Sequence, residues 1–335
     1  MLGYEVKFAT GTDENGQKMV QTAATHGKDV MTFLDEIATW HRATRDELKI
    51  SYTDFIRTTE DRHQTFVQEM ITKTFAAWDI YKGKYTWYYC VWCEAFKKPT
   101  DLTEDGLCPD HLKKPEIIEE ENWFFSLSKY QQRLSDWYAE HSDFCVPGFR
   151  YNEVKSFVEQ WLEDFSISRQ GNDFGIQFPA EIDPEAIVYI WFDALYNYLT
   201  VCQDDHVWDE QEWFWSEDTE KVHVIWKDIA RFHAIYRPAM LKASGNLLPD
   251  RIVINGFFTV NGQKMWKSLG NYIEPLELVC EHGRDALLYY LFSDIKIGTD
   301  GDVSMDRFHA MRENVLKKWR WNLVSRVVTL AQKYE

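Results

Sequence analysis

Two short β-branched segments on either side of a helical stretch constrain the fold of this chain more than any other feature of its sequence. Residues 222–225 and 251–254 have the composition of strands that are buried in a parallel sheet. Residues 228–242 between them have the composition of a helix that ends before Gly245. A strand, a helix and a second strand at this spacing predict a right-handed β-α-β crossover. The sequence therefore predicts an α/β fold with a doubly wound parallel sheet.

Further segments extend this α/β pattern. Residues 186–192 form a continuous apolar run that predicts another buried parallel strand. Residues 4–9 alternate in the manner of a short strand, and the polar, glycine-containing stretch after them predicts a turn into a helix. Residues 61–77 carry apolar side chains at helical spacing. Residues 85–115 are dense in aromatic, cysteine and lysine residues without a clear period, which predicts a small inserted module.

Chain length and charge exclude several classes of protein. The chain has 335 residues, enough for roughly two to three domains. Its net charge of −17 disfavours a protein that coats nucleic acid non-specifically, because such proteins are basic. The sequence has no apolar run of the ~18 residues that a membrane span needs. Six cysteines in a chain of this length do not suggest a disulfide scaffold, so a reducing, cytoplasmic location is expected.

Three cysteines and a histidine have the spacing of a metal knuckle. Cys90 and Cys93 form one pair, and Cys108 and His111 form a second pair after a loop of polar residues. Two such pairs are typical of a tetrahedral zinc site, and four protein ligands leave no open position, so the zinc would be structural. The alternative is two unrelated pairs of residues, which the repeated spacing makes the weaker interpretation.

A second candidate site is the loop at residues 261–271. Lys264 and Lys267 lie on this loop after a predicted strand, with Gly262 and Gly270 on either side. Mobile lysines on a glycine-bordered loop suit the binding of a polyphosphate on which charge develops. By charge alone, an ordinary solvated loop is the better interpretation.

A third set of residues falls near the ends of the predicted strands, where ligands bind in open α/β sheets. Tryptophan and tyrosine beside a histidine could enclose an apolar or thioether side chain, and a carboxylate could pair with an ammonium group. Each of these residues taken alone is more often plain core or surface. The set comprises Asp13, Trp191, Ala194, Tyr198, Ile229 and His233.

At these positions the chain resembles the methionyl-tRNA synthetases, a family of class I aminoacyl-tRNA synthetases. The resemblance covers nearly all 335 residues and includes the Cys/His knuckle and a counterpart of the family's Lys-Met-Ser-Lys-Ser loop. The segments that carry it are residues 11–17 (GTDENGQ), 55–59 (FIRTT), 162–169 (LEDFSISR), 189–194 (YIWFDA), 227–229 (KDI) and 262–268 (GQKMWKS).

The resemblance implies a reaction and a role for each candidate residue. ATP, with Mg²⁺, and methionine would give methionyl-adenylate and pyrophosphate, and the methionyl group would pass to the terminal ribose of tRNA. Asp13 would hold the methionine ammonium group, and Asp228 would contact the ATP ribose. Lys264 and Lys267 would stabilise the triphosphate in the transition state. The thioether pocket would consist of Trp191, Ala194, Leu195, Tyr198, Ile229 and His233.

The resemblance also implies a Rossmann-like class I synthetase fold with an inserted zinc knuckle and a shortened C-terminal helical region. We expect the nucleotide-binding domain at residues 1–82 and 186–265, the connective module at 83–185, the signature-loop region at 266–305 and the start of an anticodon-binding domain at 306–335. The family's His-Ile-Gly-His signature is not in the chain. We therefore expect a fragment that does not form the adenylate by itself.

The tryptophans are a second departure from the family. The chain has 15 Trp and only 16 Gly. Trp226 stands where the family has glycine, next to the nucleotide, and Trp266 replaces a serine of the signature loop. Further family glycine positions are occupied by Trp78, Trp87, Trp161 and Trp321. Either the chain is an inactive relative that binds without catalysis, or its gene uses UGA codons for glycine; the selective loss of glycine favours the second hypothesis.

Two other functions remain open from the sequence. A class I synthetase for cysteine or a branched aliphatic amino acid would share the fold but would not need the aromatic and histidine set of the pocket. A protein that binds zinc and tRNA without catalysis would keep the knuckle but would not bind ATP.

Overall fold

The computed structural model describes residues 3–93, 95–97, 101–109, 112–170, 174–203, 213–265, 270–315 and 321–334. The strands are β1 Ala9–Thr12, β2 Asp54–Arg57, β3 Ile80–Cys90, β4 Ala95–Lys97, β5 Glu116–Phe125, β6 Cys145–Val146, β7 Phe165–Ser166, β8 Ser168–Arg169, β9 Ile187–Val188, β10 Val222–Trp226, β11 Arg251–Asn255, β12 Phe258–Val260, β13 Gln263–Lys264 and β14 Gly301–Asp302. The α-helices are α1 Gln17–Thr25, α2 Val30–Glu47, α3 Asp61–Ala76, α4 Gln131–Glu140, α5 Gly148–Val158, α6 Ile190–Ala194, α7 Asn197–Gln203, α8 Arg237–Ala243, α9 Pro275–His282, α10 Arg284–Asp294, α11 Met305–Met311 and α12 Trp321–Tyr334.

The strand-helix-strand unit predicted near the C-terminal half is present. β10 and β11 are parallel and in register from Val222 opposite Arg251 to Trp226 opposite Asn255. The connection between them is helical in three pieces, a 3₁₀ turn, a π turn and α8. The helix ends before Gly245, which has a φ of +75°. This confirms the β-α-β prediction, and the three pieces of the helix carry several residues of the candidate site.

The parallel strands lie in two separate sheets. β1 pairs with β2, and β10, β11 and β6 form a three-stranded sheet in that order. Among the described residues, no backbone pairing joins the two sheets into one. The fold therefore has mixed α/β content with parallel strands, as predicted.

The first predicted strand is displaced along the chain. Residues 4–8 are not a strand, and β1 covers Ala9–Thr12, which the sequence assigned largely to the following turn. Gly11 explains the difference, because it lies opposite Ile56 of β2, and a Cβ at this position would collide with the Ile56 carbonyl group. The glycine that suggested a turn instead permits a close approach of two strands.

The prediction of a parallel strand over residues 186–192 is wrong. Only Ile187–Val188 forms a strand, and it pairs antiparallel with β8. The chain then turns into α6, of which Ile190, Phe192, Asp193 and Ala194 are buried. A continuous apolar run fits a buried helix as well as a buried strand, and here the helix is formed.

The inserted module is built on a long antiparallel pair. β3 and β5 are in register from Ile80 opposite Phe125 to Tyr89 opposite Glu116, and β4 and β7 flank them. The pair begins at Ile80, close to the predicted domain boundary at residue 83. Cys90 ends β3, Cys93 lies in the turn between β3 and β4, and Cys108 lies in the segment between β4 and β5.

One core joins these elements. α3, predicted at 61–77 and found at Asp61–Ala76, buries Phe66, Val67, Met70 and Ile71. These side chains belong to the same cluster as residues of β5, α4, α7, α8, β10 and β11. Burial of each large apolar side chain contributes about 1.5–3 kcal/mol, which fixes α7 and α8 against the sheet. Among the helices that the structure describes, none combines the length and the apolar composition that crossing a lipid bilayer requires.

Trp78 has a backbone conformation that suits glycine. It follows the last turn of α3 with a φ of +59°, and its side chain is 82% exposed. The Trp78 N–H donates to the Phe75 carbonyl at 3.0 Å, and the Asp79 N–H donates to the Thr74 carbonyl at 3.2 Å. These two bonds form a Schellman motif, in which the left-handed residue is usually glycine.

The other tryptophans that depart from the family pattern do not show a backbone conformation that favours glycine in the described residues. Trp161 is 81% exposed, and Trp226 is 41% exposed with its ring edge-on to Phe258 at 5.4 Å between centroids. The side chains of Trp87 and Trp321, and all of Trp266, lie outside the described residues.

Candidate functional site

A pair of stacked aromatic rings forms one wall of the candidate side-chain pocket. Trp191 on α6 stacks on Phe232 of the π turn, with ring centroids 3.9 Å apart and an angle of 9° between the planes. The buried indole Nε1 of Trp191 has no hydrogen-bond partner within the described part of the chain. Ala194 and Leu195, at the end of α6, are also buried. The π turn and α6 therefore place the two stacked rings in contact without using a strand.

A short hydrogen bond joins Tyr198 of α7 to His233 of the π turn. The Tyr198 Oη and His233 Nε2 atoms are 2.6 Å apart, and His233 Nδ1 is 3.0 Å from the Ile229 carbonyl oxygen. Since that carbonyl can only accept, Nδ1 donates to it, and Nε2 accepts from the Tyr198 hydroxyl. Burial lowers the pKa of His233 to about 4 and raises the pKa of Tyr198 to about 12. Both groups are therefore neutral at physiological pH.

Asp13 lies in the exposed turn between β1 and α1, and its neighbours hold this turn from two sides. The buried Glu14 carboxylate accepts from Arg57 Nε at 2.8 Å. Asn15 Nδ2 donates to Asp193 Oδ2 of α6 at 3.0 Å. The second bond ties the turn to the helix that carries the pocket tryptophan. Burial raises the pKa of Tyr198, the charge of Arg237 opposes this rise and the charge of Asp13 adds to it, so Asp13 lies near Tyr198.

Lys264 and Asp228 meet at the surface. Lys264 Nζ is 3.4 Å from Asp228 Oδ2 and 3.4 Å from the centroid of the Phe257 ring. Lys227 lies over the same ring at 4.6 Å and pairs with Asp300 at 2.6 Å. Two lysines therefore lie over one aromatic ring after β10 and β11, and each is paired with a carboxylate. The turn after β10 connects this cluster to the pocket, since Asp228 faces Lys264 and the next residue accepts the bond from the pocket histidine.

The knuckle cysteines converge. The Sγ atoms of Cys90, Cys93 and Cys108 all lie within 4.8 Å of one another, and those of Cys93 and Cys108 are 3.8 Å apart. Sulfur ligands at the corners of a tetrahedron with Zn–S bonds of about 2.3 Å are about 3.8 Å apart. The three thiols fit a soft divalent ion, and the predicted fourth ligand, His111, lies outside the described residues.

The structure brings several of the predicted residues into contact and leaves two outside its description. Tyr198 is hydrogen bonded to His233 and lies near Asp13, and Asp228 meets Lys264. Lys267, like the fourth knuckle ligand, lies outside the described residues. A surface cavity of about 400 Å³ lies elsewhere, lined by Arg133, Asp136, Trp137, Glu140, Lys242 and Asn246. None of these residues belongs to the predicted site. Their charges of both signs do not indicate one class of ligand, so the cavity is not the candidate site.

Sequence reasoning missed two buried polar residues of the pocket wall. Arg237 is fully buried, four residues after His233, and His223 is buried on β10. Arg237 Nη1 is 2.9 Å from His223 Nε2, and its guanidinium group lies 4.8 Å from the Tyr198 ring centroid. The four-residue spacing within a predicted helix was the available signal, since it places both side chains on one face.

The sequence of the chain is similar to those of a described family and of curated proteins. The family described as tRNA synthetases class I (M) matches residues 1–114 and 98–328. A methionine–tRNA ligase of Thermosynechococcus vestitus is 44% identical over the whole chain and 63% of its own length. That of Thermotoga maritima is 41% identical over 99% of the chain and 53% of its own length. The chain thus spans less than two thirds of these curated relatives.

Solved structures of Mycobacterium tuberculosis methionyl-tRNA synthetase have the same fold. The complex with methionyl-adenylate is 36% identical, with a TM-score of 0.92 over 99% of this chain and 65% of that chain. The free form of the same enzyme gives a TM-score of 0.79 at 28% identity. The family match over most of the sequence, the full-length identity to methionine–tRNA ligases and this structural agreement show that the chain belongs to the methionyl-tRNA synthetase family of class I tRNA synthetases.

Proposed function

We propose that this chain carries the methionine-activating centre of a methionyl-tRNA synthetase. The observation that supports this most directly is the turn after β10. Asp228 in this turn faces Lys264, and the Ile229 carbonyl accepts from His233, which in turn accepts from Tyr198. A polar surface suited to a nucleotide triphosphate and a buried pocket suited to a thioether are thereby joined through two consecutive residues.

In the proposed reaction a methionine carboxylate oxygen attacks the α-phosphorus of ATP. The new bond gives methionyl-adenylate, and the bond from the α-phosphorus to the bridging oxygen breaks with its electron pair on the leaving pyrophosphate. Asp13 holds the ammonium group, and Asp228 contacts the ribose. Lys264 and Lys267 stabilise the charge that develops on the leaving phosphates. The methionyl group then passes to the terminal ribose of tRNA.

The pocket residues recognise the side chain by shape and polarity. Trp191, Ala194, Leu195 and Ile229 supply apolar contacts, since sulfur and methylene groups pack favourably against aromatic rings and small aliphatic groups. Tyr198 and His233 are neutral and bonded to each other, so they present polar atoms without charge. The backbone of the chain is closer to the adenylate complex of the M. tuberculosis enzyme than to its free form, which supports a pocket arranged for the adenylate.

The metal and the domain arrangement form part of the proposal. Zn²⁺ is held by Cys90, Cys93, Cys108 and His111 and stabilises the module at 83–185, while Mg²⁺ enters with ATP as part of the substrate. The two parallel sheets belong to one doubly wound, Rossmann-like domain at 1–82 and 186–265, to which β6 adds a strand from within 83–185. Residues 266–305 carry the signature loop, and 306–335 begin the anticodon-binding helices. The proposed location of the protein is the cytoplasm.

Methionine binding tests the proposed specificity. Isothermal titration of the 335-residue chain with methionine, cysteine and leucine is expected to show binding of methionine alone. Asp13→Asn should lower that affinity by about tenfold to a hundredfold, since the ammonium group loses its carboxylate. Binding of cysteine or leucine in preference to methionine would instead assign another class I synthetase.

The chemical step needs a second experiment. In a chimera, this chain replaces the matching segment of the T. vestitus methionine–tRNA ligase, and methionine-dependent ATP–pyrophosphate exchange is measured. Exchange above that of the same chimera with Lys264→Ala supports the proposal. Retention of tRNA and zinc binding without binding of methionine or ATP would assign a non-catalytic relative instead.

A further inference from the structure

Arg237 is a fully buried cation in the wall of the side-chain pocket. Its Nε donates to the Leu195 carbonyl at 2.9 Å, and its Nη1 is 2.9 Å from His223 Nε2. Its guanidinium group lies 4.8 Å from the ring centroids of both Tyr198 and Trp215. The partners that the structure describes for it are a carbonyl, an imidazole and two rings, without a carboxylate, and Nη2 has no described partner. Burial of a charge costs several kcal/mol, so the described contacts of this guanidinium group call for a function.

The direction of each hydrogen bond around Arg237 follows from its chemistry. A guanidinium group only donates, so His223 Nε2 must accept. His223 therefore carries its proton on Nδ1 and is neutral. Burial lowers the pKa of His223 well below its usual value, and the Arg237 charge adds to this effect. A buried cation at 2.9 Å thus prevents the imidazole from becoming a second cation.

The same cation acts on the histidine that meets the ligand pocket. The His233 Nε2 atom accepts from Tyr198, whose ring lies between His233 and Arg237. The charge of Arg237 opposes protonation of His233, as does burial. Among the described residues, the titratable groups around His233 and Arg237 come from two elements and two turns. They are Tyr198 and Cys202 from α7, Tyr196 from the turn before α7, His223 from β10 and Asp13 from the turn after β1.

We propose that Arg237 is a positioning and specificity-determining residue of the pocket. It fixes the tautomer of His223 and holds the Tyr198 ring beside its guanidinium group. The pocket then accepts an uncharged, polarisable side chain over a wide range of pH and rejects side chains that end in a cation. This inference rests on the proposed function for the identity of the ligand, whereas the control of the two imidazoles by Arg237 does not.

Three variants separate this role from a general structural one. Arg237→Met removes the charge and retains much of the side-chain volume, and Arg237→Lys restores a donor with a charge. Arg231→Met is the matched control, since Arg231 is exposed on the same segment and stacks on Phe157 at 3.9 Å. The first readout is the NMR chemical shifts of the ring nitrogens of His223, which report the tautomer without any ligand.

In the unsubstituted chain these shifts should show a protonated Nδ1 and a bare Nε2 on His223 at about pH 7 and about pH 5.5. Arg237→Met should allow His223 to take up a proton in this range, and Arg237→Lys should largely restore the neutral form. A proton on Nε2 of His223 in the unsubstituted chain would overturn the proposal, even if Arg237→Met fails to fold. An unchanged titration of His223 in a folded Arg237→Met variant would also overturn it.

The second readout is the dissociation constant of methionine at the same two pH values. It should change by less than about twofold in the unsubstituted chain and in Arg231→Met, and by about tenfold in Arg237→Met, because an imidazole of ordinary pKa is about nine-tenths protonated at one pH unit below it. If the ratio of the dissociation constants at the two pH values is the same in Arg237→Met and in Arg231→Met, the specificity role is overturned. If the unsubstituted chain binds no methionine while Arg237→Met alters the His223 tautomer, the proposed function fails and the positioning role stands.

Discussion

Tyr198 and His233 are buried and joined by a 2.6 Å hydrogen bond, whereas Lys264 and Asp228 lie 3.4 Å apart with about a third to a half of each side chain exposed. The first pair belongs to a network of fixed hydrogen-bond directions inside the core. The second pair lies on a short strand before the signature loop and on a surface turn. The pocket side of the proposed site therefore depends on buried hydrogen bonds, whereas its nucleotide side depends on partly exposed charges.

This difference matches what each side has to do. Recognition of an uncharged side chain depends on shape and on buried polar groups that stay satisfied, so the pocket side is rigid and part of the core. In the proposed reaction, stabilisation of the leaving pyrophosphate depends on cations that can follow developing charge, which suits the long, solvated side chains of the nucleotide side. Substitutions on the pocket side should alter stability and affinity, while those on the nucleotide side should alter rate.

The largest effect is expected at Lys264. In the chimera, Lys264→Ala should lower the rate of adenylate formation by about 10²–10³, the cost of removing one donor to developing charge. Its free energy of unfolding should change by less than about 0.5 kcal/mol, because exposed ion pairs contribute little. Pyrophosphate exchange and chemical denaturation measure the two quantities. Lys28→Ala, which removes another exposed ion pair, is the control and should leave both unchanged. A large loss of stability in Lys264→Ala would break the comparison.

On the pocket side, Tyr198→Phe should have the opposite profile. It leaves the buried His233 Nε2 without its donor, which should cost about 1–3 kcal/mol of unfolding free energy. Tyr52→Phe is the matched control, since the Tyr52 hydroxyl donates to Asp46 at the surface at 2.9 Å and should cost less than about 0.5 kcal/mol. Chemical denaturation of both variants measures the difference. Equal costs would show that burial does not distinguish the two bonds.

Acid should destabilise the buried half of the molecule. His63 is buried on α3, with Nδ1 2.9 Å from the Thr200 Oγ1 on α7, and burial lowers its pKa to about 4, as it does for His233. Because the unfolded chain takes up protons first, the stability that each neutral histidine supplies decreases as pH falls from about 6.5 through about 4, by about 1.4 kcal/mol per pH unit.

His63→Asn tests this pH dependence. The amide can still donate to Thr200 but does not titrate, so the loss of stability between about pH 7 and about pH 5.5 should be smaller by about 1 kcal/mol than in the unsubstituted chain. Denaturant unfolding at the two pH values gives the difference. An identical loss in both chains would show that His63 does not contribute to the pH dependence of the unfolding free energy.

The smallest effect on stability is expected at Trp78. It bears on Trp226, next to the nucleotide side, because both tryptophans stand at glycine positions of the family. Trp78→Gly should stabilise the chain by about 1 kcal/mol, because a left-handed conformation strains a residue with a Cβ. Ala77→Gly, one residue earlier in a right-handed conformation, should instead destabilise by about 0.5–1 kcal/mol. Thermal unfolding of both variants measures the signs.

The codons at 78 and 226 test the decoding hypothesis separately. UGA codons there, with glycine found by mass spectrometry of the native protein, would support glycine as the residue at both positions. UGG codons would contradict the hypothesis and leave Trp78 as a genuine strained residue.

Sequence reasoning performed best where a signal was local. The β10–α8–β11 unit followed from β-branched strands around a helical period, and the convergence of Cys90, Cys93 and Cys108 followed from spacing. It failed at residues 186–192, because an apolar run does not distinguish a buried strand from a buried helix. It also failed at Gly11, whose lack of a side chain serves a close strand contact instead of a turn.

By itself, the sequence determined the α/β class, the knuckle and the family, since these depend on residue types at short spacings and on motifs that stand in the chain. Only the tertiary structure decided how the site is assembled. Arg237 lies four residues from His233 in sequence, yet its burial against Tyr198 and His223 requires α7, α8 and β10 to pack together. Burial and hydrogen-bond direction arise from contacts between distant segments, and they determine which side of the site is fixed and neutral and which is mobile and charged.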